Sequence, residues 1–262
     1  MIYRKLVLSF TTLALLAGAS SRAFSQEAGL NFSTPLRADN TLLAQTFRPP
    51  GGGAPPDSSG GGVRGGGLQT PDFIPLVPRD AVTKTLWGLT ISATPTFFLY
   101  VPAGVSTPIK FYLVNEQEGE MLYEQVVIPP TSGGIVSVTL PNQPGKTLEE
   151  GKLYSWYFEL QTDQEQPSVN PMINGLVRRI VMSQELSNKL QAAANDSDRA
   201  QVYAANGFWY DLITTAANLR GTNPSNWEEI LNSVGLGAIA QAPLVNPATS
   251  AINSNPLPSN RS

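Results

Sequence analysis

Between Asp72 and about Met182 the apolar residues recur at every second position, and beyond Met182 that rhythm stops. Residues two apart point to the same side of a strand, so this rhythm builds sheets with a buried face. Trp87, Leu89 and Ile91 share a face, as do Phe97, Leu99 and Val101 after the Thr94-Pro95 break, and then Ile109, Phe111 and Leu113. Met121 to Ile128, Ile135 to Leu140, Leu153 to Leu160 and Ile173 to Val181 complete seven short runs, divided by Gly, Pro, Asn or Glu-Gly breaks. They predict an antiparallel β-sandwich over 72–182, with a barrel as the alternative.

Residues 183–236 follow a helical pattern instead. Ser183 stands in a capping position before a helix from Gln184 to Ala194. Asp198 to Ala205 and Phe208 to Arg220 form two helices, or one broken at Gly207, and Asn223-Pro224 opens a last helix that runs through Val234 to a stop at Gly235. These helices are expected to pack on the sandwich. Residues 237–262, increasingly rich in Pro, Asn and Ser, predict a disordered tail.

The N-terminal end has a different character. Arg4 and Lys5 precede the apolar stretch Leu6 to Ala19, with small residues at Ala23 and Ser25, which is the pattern of a secretory signal over 1–25. Cleavage there implies export to the periplasm, cell surface or medium, with no membrane span left behind, because no later stretch approaches the roughly 20 apolar residues that a span needs. Within 26–71, the run from Arg48 to Gly67 is almost entirely Gly, Pro and Ser. It predicts a flexible linker, since so little apolar surface cannot offset chain entropy. Its Gly60-x-Gly62-x-x-Gly65 has neither a strand before it nor a helix after it, as a dinucleotide loop requires.

Two absences narrow the chemistry further. The 262 residues contain His 0 and Cys 0. That removes disulfides, thiolate nucleophiles, Ser-His-Asp triads and the usual zinc sites. Losing Arg4, Lys5 and Arg22 with the signal leaves 14 of the 17 Lys+Arg against 20 Asp+Glu, a balance of −6. Such a chain has no electrostatic footprint for nucleic acid. No cofactor is expected.

Carboxylates are the acid–base groups that remain. Glu116, Glu118 and Glu120 flank Gly119, Glu149 and Glu150 precede Tyr154, and Asp163 and Glu165 follow the Trp156 strand. A weak calcium site would use such oxygens, yet no Asp-x-Asp-x-Asp-Gly loop is present, so solvated hairpin turns are the expectation. No pair is marked as the acid and base of a glycosidase. Gly145-Lys146-Thr147 lacks the glycine that a phosphate loop carries five residues earlier, where Leu140 stands.

The stretch from Leu148 to Tyr154, followed by Ser155-Trp156-Tyr157-Phe158, is similar to the corner before strand F in fibronectin type III and immunoglobulin-like domains. There a leucine six residues before a tyrosine packs inward and the tyrosine hydroxyl bonds backbone. Leu148 and Tyr154 are therefore fold determinants, with Trp87 and Trp156 as core residues of alternating strands.

A wider resemblance runs through the chain. Pro78-Arg79-Asp80, Thr85 to Thr90, Pro95 to Pro102, Leu122-Tyr123-Glu124, Ile135 to Pro141, Leu148 to Trp156, Gly175 to Arg179, Ala205 to Asp211 and Trp227 to Leu236 stand in the order of a cyanobacterial exported family of unknown function, numbered 928. The resemblance covers about 78–236. It implies export and supplies no activity. The helical end also resembles one tetratricopeptide-like pair, through Tyr203, Gly207 and Tyr210.

The functional expectation is a non-enzymatic module that binds an unknown protein partner. At helical spacing aromatics such as Trp209, Tyr210 and Trp227 usually fill a core; where exposed, these three are the candidate contacts, because an exposed aromatic is a natural anchor. The alternative is a carbohydrate-binding protein that uses exposed tryptophans for a glycan. A carboxylate-based hydrolase stands third.

Overall fold

The computed structural model describes residues 47–49, 54, 73–163 and 165–250. The secretory signal, the Gly60–Gly65 string and most of the linker lie outside these residues. Nine strands form two sheets among the described residues: β1 Ile74–Pro75, β2 Trp87–Thr90, β3 Thr96–Val101, β4 Ile109–Asn115, β5 Met121–Ile128, β6 Gly134–Thr139, β7 Leu153–Leu160, β8 Met172–Arg179 and β9 Ala248–Ser250. The small sheet has the order β1-β3-β6 and the large one β2-β8-β7-β4-β5-β9.

The seven alternating runs became β2 to β8, and β1 and β9 are too short for alternation to reveal them. One pairing corrects the antiparallel expectation. β2 lies parallel to β8, with Trp87 beside Leu176 and Leu89 beside Arg178, which makes the large sheet mixed. Parallel neighbours need a long connection, and the five strands between β2 and β8 provide it.

The sheets face each other through Phe97 of β3, whose ring lies 4.9 Å from Phe111 of β4 and 6.3 Å from Trp156 of β7. Opposite Trp156 stands Gly175, where any Cβ would overlap the indole. β3 is also buried on its far side, where the Phe98 ring meets Trp227 at 6.4 Å. Burial on both faces explains why β3 reads as a nearly continuous apolar run, Phe97-Phe98-Leu99-Tyr100-Val101, more than as an alternation.

The layer beyond β3 is helical: α1 Gln184–Ala192, α2 Asp196–Asn206, α3 Trp209–Leu219 and α4 Pro224–Ser233. Ser183 accepts the Leu186 N–H and Asn195 accepts the Asp198 N–H, so both helix starts have side-chain caps. Gly207 separates α2 from α3 at φ 74, a left-handed stop that glycine adopts without a steric cost. These helices share one core with the sheets.

Two boundaries differ from the sequence expectation. Residues 237–250 are ordered, not tail. Ile135 of β6 donates to the Pro243 carbonyl and accepts the Val245 N–H, and β9 then pairs with β5. The stretch thus covers an edge strand of each sheet. Its Pro and Asn breaks hide this in the sequence, because edge pairing is made by backbone groups and requires no alternation of apolar residues. At the other end, Phe47 packs edge-on against Trp209 at 5.0 Å, the Arg48 N–H bonds the Ala204 carbonyl, and Ala54 is buried. The expected linker therefore contains fixed points.

Candidate functional site

Tryptophan and tyrosine rings in the helical layer are structural ties. Trp209, Tyr210 and Trp227 are all buried, at no more than 1% exposure. The Trp209 indole N–H donates to the Leu76 carbonyl at 2.7 Å, and the Trp227 N–H to the Ala240 carbonyl at 2.9 Å. Tyr210 donates to the Leu176 carbonyl and accepts the Trp156 N–H. None offers a face to a partner, which corrects their assignment as contacts. Trp87 and Trp156 are buried too, so a glycan finds no exposed tryptophan at any of the four positions. At the β7 corner, Leu148 is buried and the Tyr154 hydroxyl accepts the Glu149 N–H at 2.9 Å.

Trp87 fills a different place from the other three. It and Leu176 point away from the main core and form a separate cluster, flanked by Leu89 and Leu153 and covered by Ala54. This strip lies on the outer face of the large sheet. Arg178 pairs in register with both Leu89 and Leu153, and its Nε is buried without a hydrogen-bond partner.

Farther across the same face, Tyr112 of β4 and Tyr157 of β7 stack at 4.6 Å and 8°. The Tyr112 hydroxyl reaches the Met172 sulfur at 3.1 Å. Lys110 lies 3.5 Å from Glu159 and 5.3 Å from the Tyr112 ring centre. Burial, and secondarily the Glu159 charge, push the Tyr112 phenol up to about 12. Apolar strip, aromatic stack and paired charges lie side by side on this face. The signal for it sat in the positions between the core-facing residues of the same strands, where Tyr112, Leu153, Tyr157 and Leu176 take places a solvated face would give to polar groups.

A polar cleft of about 190 Å³ lies between the β2–β3 turn and α3, lined by Ser92, Thr94, Thr96, Tyr203, Asp211 and Thr215 among others. Burial pushes the Asp211 carboxyl up to about 6, against the opposing effect of the Ile91 N–H, which it accepts at 3.0 Å. The Thr214 and Thr215 hydroxyls donate to the Tyr210 and Asp211 carbonyls. Asp211 fastens the turn after β2 to α3, and among the described residues it is the one carboxylate that lines this cleft.

The acids near Gly119 are engaged elsewhere. Lys152 bonds Glu118 at 2.7 Å and Glu149 at 3.1 Å, contacts that raise its pKa, and Glu116 accepts the Ser155 hydroxyl. Glu150 pairs with Arg179. Among the described residues, no three carboxylates are grouped so as to hold a metal ion.

These features define a mainly β protein of two facing sheets with a helical layer, whose large sheet presents an aromatic and apolar outer face. The chain belongs to the family described as Domain of Unknown Function (DUF928), which it matches over residues 59–244. No curated protein matches it.

Proposed function

We propose that this chain is an exported, non-enzymatic protein-binding module that uses the outer face of its large sheet. The observation that carries this reading is the row of half-buried Leu89, Leu153, Tyr112 and Tyr157 on the side of the sheet away from the main core, backed by buried Trp87 and Leu176. Aromatic and apolar side chains at alternate strand positions are what a protein contact uses for its central area. Lys110, Glu159 and Arg178 supply the charges that would set orientation. The facing sheets and the Tyr154 corner favour kinship with immunoglobulin-like and fibronectin-III-like sandwiches, from which the parallel β2–β8 pair is a departure. The sequence signal over 1–25 supports export.

The test compares capture by full-length protein with capture by Leu153→Asp and Tyr157→Ala variants, using the exported fraction of the source cells. The proposal expects a captured protein that both variants lose, with melting temperatures within a few degrees of the parent. A captured set unchanged by either variant contradicts it.

A further inference from the structure

The cleft between the β2–β3 turn and α3 is lined by groups that accept hydrogen bonds and have few to give. Asp211 stands in the first turn of α3, and the groups that hold its carboxylate are neutral: the Ile91 N–H at 3.0 Å, then the Thr90 hydroxyl and the N–H groups of Asp211 itself and Ser92. The Thr214 and Thr215 hydroxyls have committed their protons to the Tyr210 and Asp211 carbonyls, at 2.6 and 2.8 Å. Their oxygens keep lone pairs for the cleft. Among the described residues that line it, none is Lys or Arg. Arg199, whose charge reaches Tyr203, is paired with Asp196 at 2.7 Å. The positive end of α3 supplies about half a charge, so the carboxylate is only partly offset.

We propose that this cleft binds a small primary ammonium compound, with its charged nitrogen on Asp211 and the Thr214 and Thr215 oxygens and its carbon chain along the Tyr203 ring. The site shares no residue with the outer face of the large sheet and goes beyond the protein-binding reading. An ammonium group carries three donors and no acceptor, which is the complement of this lining. The face of an aromatic ring attracts a cation as well. Size selects an organic cation over a bare ion. The cleft holds about 190 Å³, and a cavity of about 150 Å³ is enough for benzene.

Titration of the full-length protein with n-butylammonium chloride, followed by amide NMR at about pH 8, tests the site with Asp211 ionised. The signals of Ile91, Ser92, Thr214 and Thr215 should move together with one Kd, while those of Tyr112 and Tyr157 stay in place. The uncharged 1-butanol should move none of them. Asp211→Asn keeps an oxygen for the Ile91 N–H and should weaken binding at least tenfold. Thr215→Val keeps the shape of the wall, removes one acceptor and should weaken binding about threefold, with a melting temperature close to the parent's. Absent shifts, equal shifts with 1-butanol, or an affinity unchanged in both variants overturns the proposal. Competition by potassium chloride at equal concentration assigns the cleft to a bare cation and also overturns it. Tighter binding of acetyl-lysine amide than of n-butylammonium assigns the cleft to a lysine of a protein partner and overturns the small-molecule ligand.

Discussion

The Trp156 indole N–H donates to the Tyr210 hydroxyl at 2.7 Å, and that hydroxyl donates onward to the Leu176 carbonyl at 3.0 Å. A core tryptophan of β7, a helix residue of α3 and the backbone of β8 are joined by one oxygen. The side chain of Leu176 lies on the opposite side of that strand, in the outer strip, so the same strand serves the core and the candidate surface.

Tyr210→Phe keeps the ring and removes the oxygen. The indole N–H and the carbonyl both lose their partner in a fully buried place, which costs on the order of 1–3 kcal/mol. Urea unfolding should show a lower midpoint with an unchanged slope. An unchanged midpoint would mean that the bridge adds nothing to stability.

Gly175→Ala puts a methyl group into the Trp156 indole and against the Leu86 carbonyl oxygen. Overpacking of this kind costs about 1–3 kcal/mol or more. Tyr154→Phe, which only frees the Glu149 N–H at the corner, should cost about 1 kcal/mol. Thermal denaturation of the two variants should rank them in that order.

Asp211 provides a pH signature. Its carboxyl is raised to about 6 from an ordinary 3.8, so between those values the folded chain holds a proton that the unfolded chain has lost. The contribution of this group to stability is therefore greatest below pH 4 and declines as pH rises through about 6. Asp211→Asn cannot titrate and keeps an oxygen for the Ile91 N–H. The stability of the variant relative to the parent should rise from pH 4 to pH 7, as read from unfolding midpoints. A flat difference across that window would contradict the raised carboxyl.

The C-terminal stretch protects sheet edges. Ending the chain after Ala242 removes the Val245 bond to Ile135 and the pairing of β9 with β5. Exposed edges invite strand-to-strand association. Size-exclusion chromatography should show concentration-dependent oligomers for the truncated chain and none for the parent.

Much of the fold was legible because alternation reports burial on one face. Ile109, Phe111 and Leu113 follow from it, whereas the Leu148–Tyr154 corner follows from its likeness to the corner of fibronectin type III and immunoglobulin-like domains. β3 was found from its alternate residues, while the burial of Phe98 beneath Trp227 went unseen, since a two-sided strand has no period of its own. Polar neighbours in the sequence, such as Asn206 and Asn226, leave Trp209 and Trp227 open to either a core or an exposed reading. Their indole N–H groups instead found carbonyl acceptors inside, which is what lets a tryptophan be fully buried. The outer strip is hidden in the sequence for a related reason. Trp87 and Leu176 belong to strands distant in sequence, and only their parallel pairing brings them together.

Docking of a partner on the outer face of the large sheet is open to a direct test in cells. Photo-crosslinking in the source cells tests it most directly, with a benzophenone amino acid at Tyr157 and, as a control, at exposed Gln201 on α2. A discrete adduct is expected from position 157, absent from position 201 and lost when Leu153→Asp is added. The same adduct from both positions, or none from position 157, would contradict it.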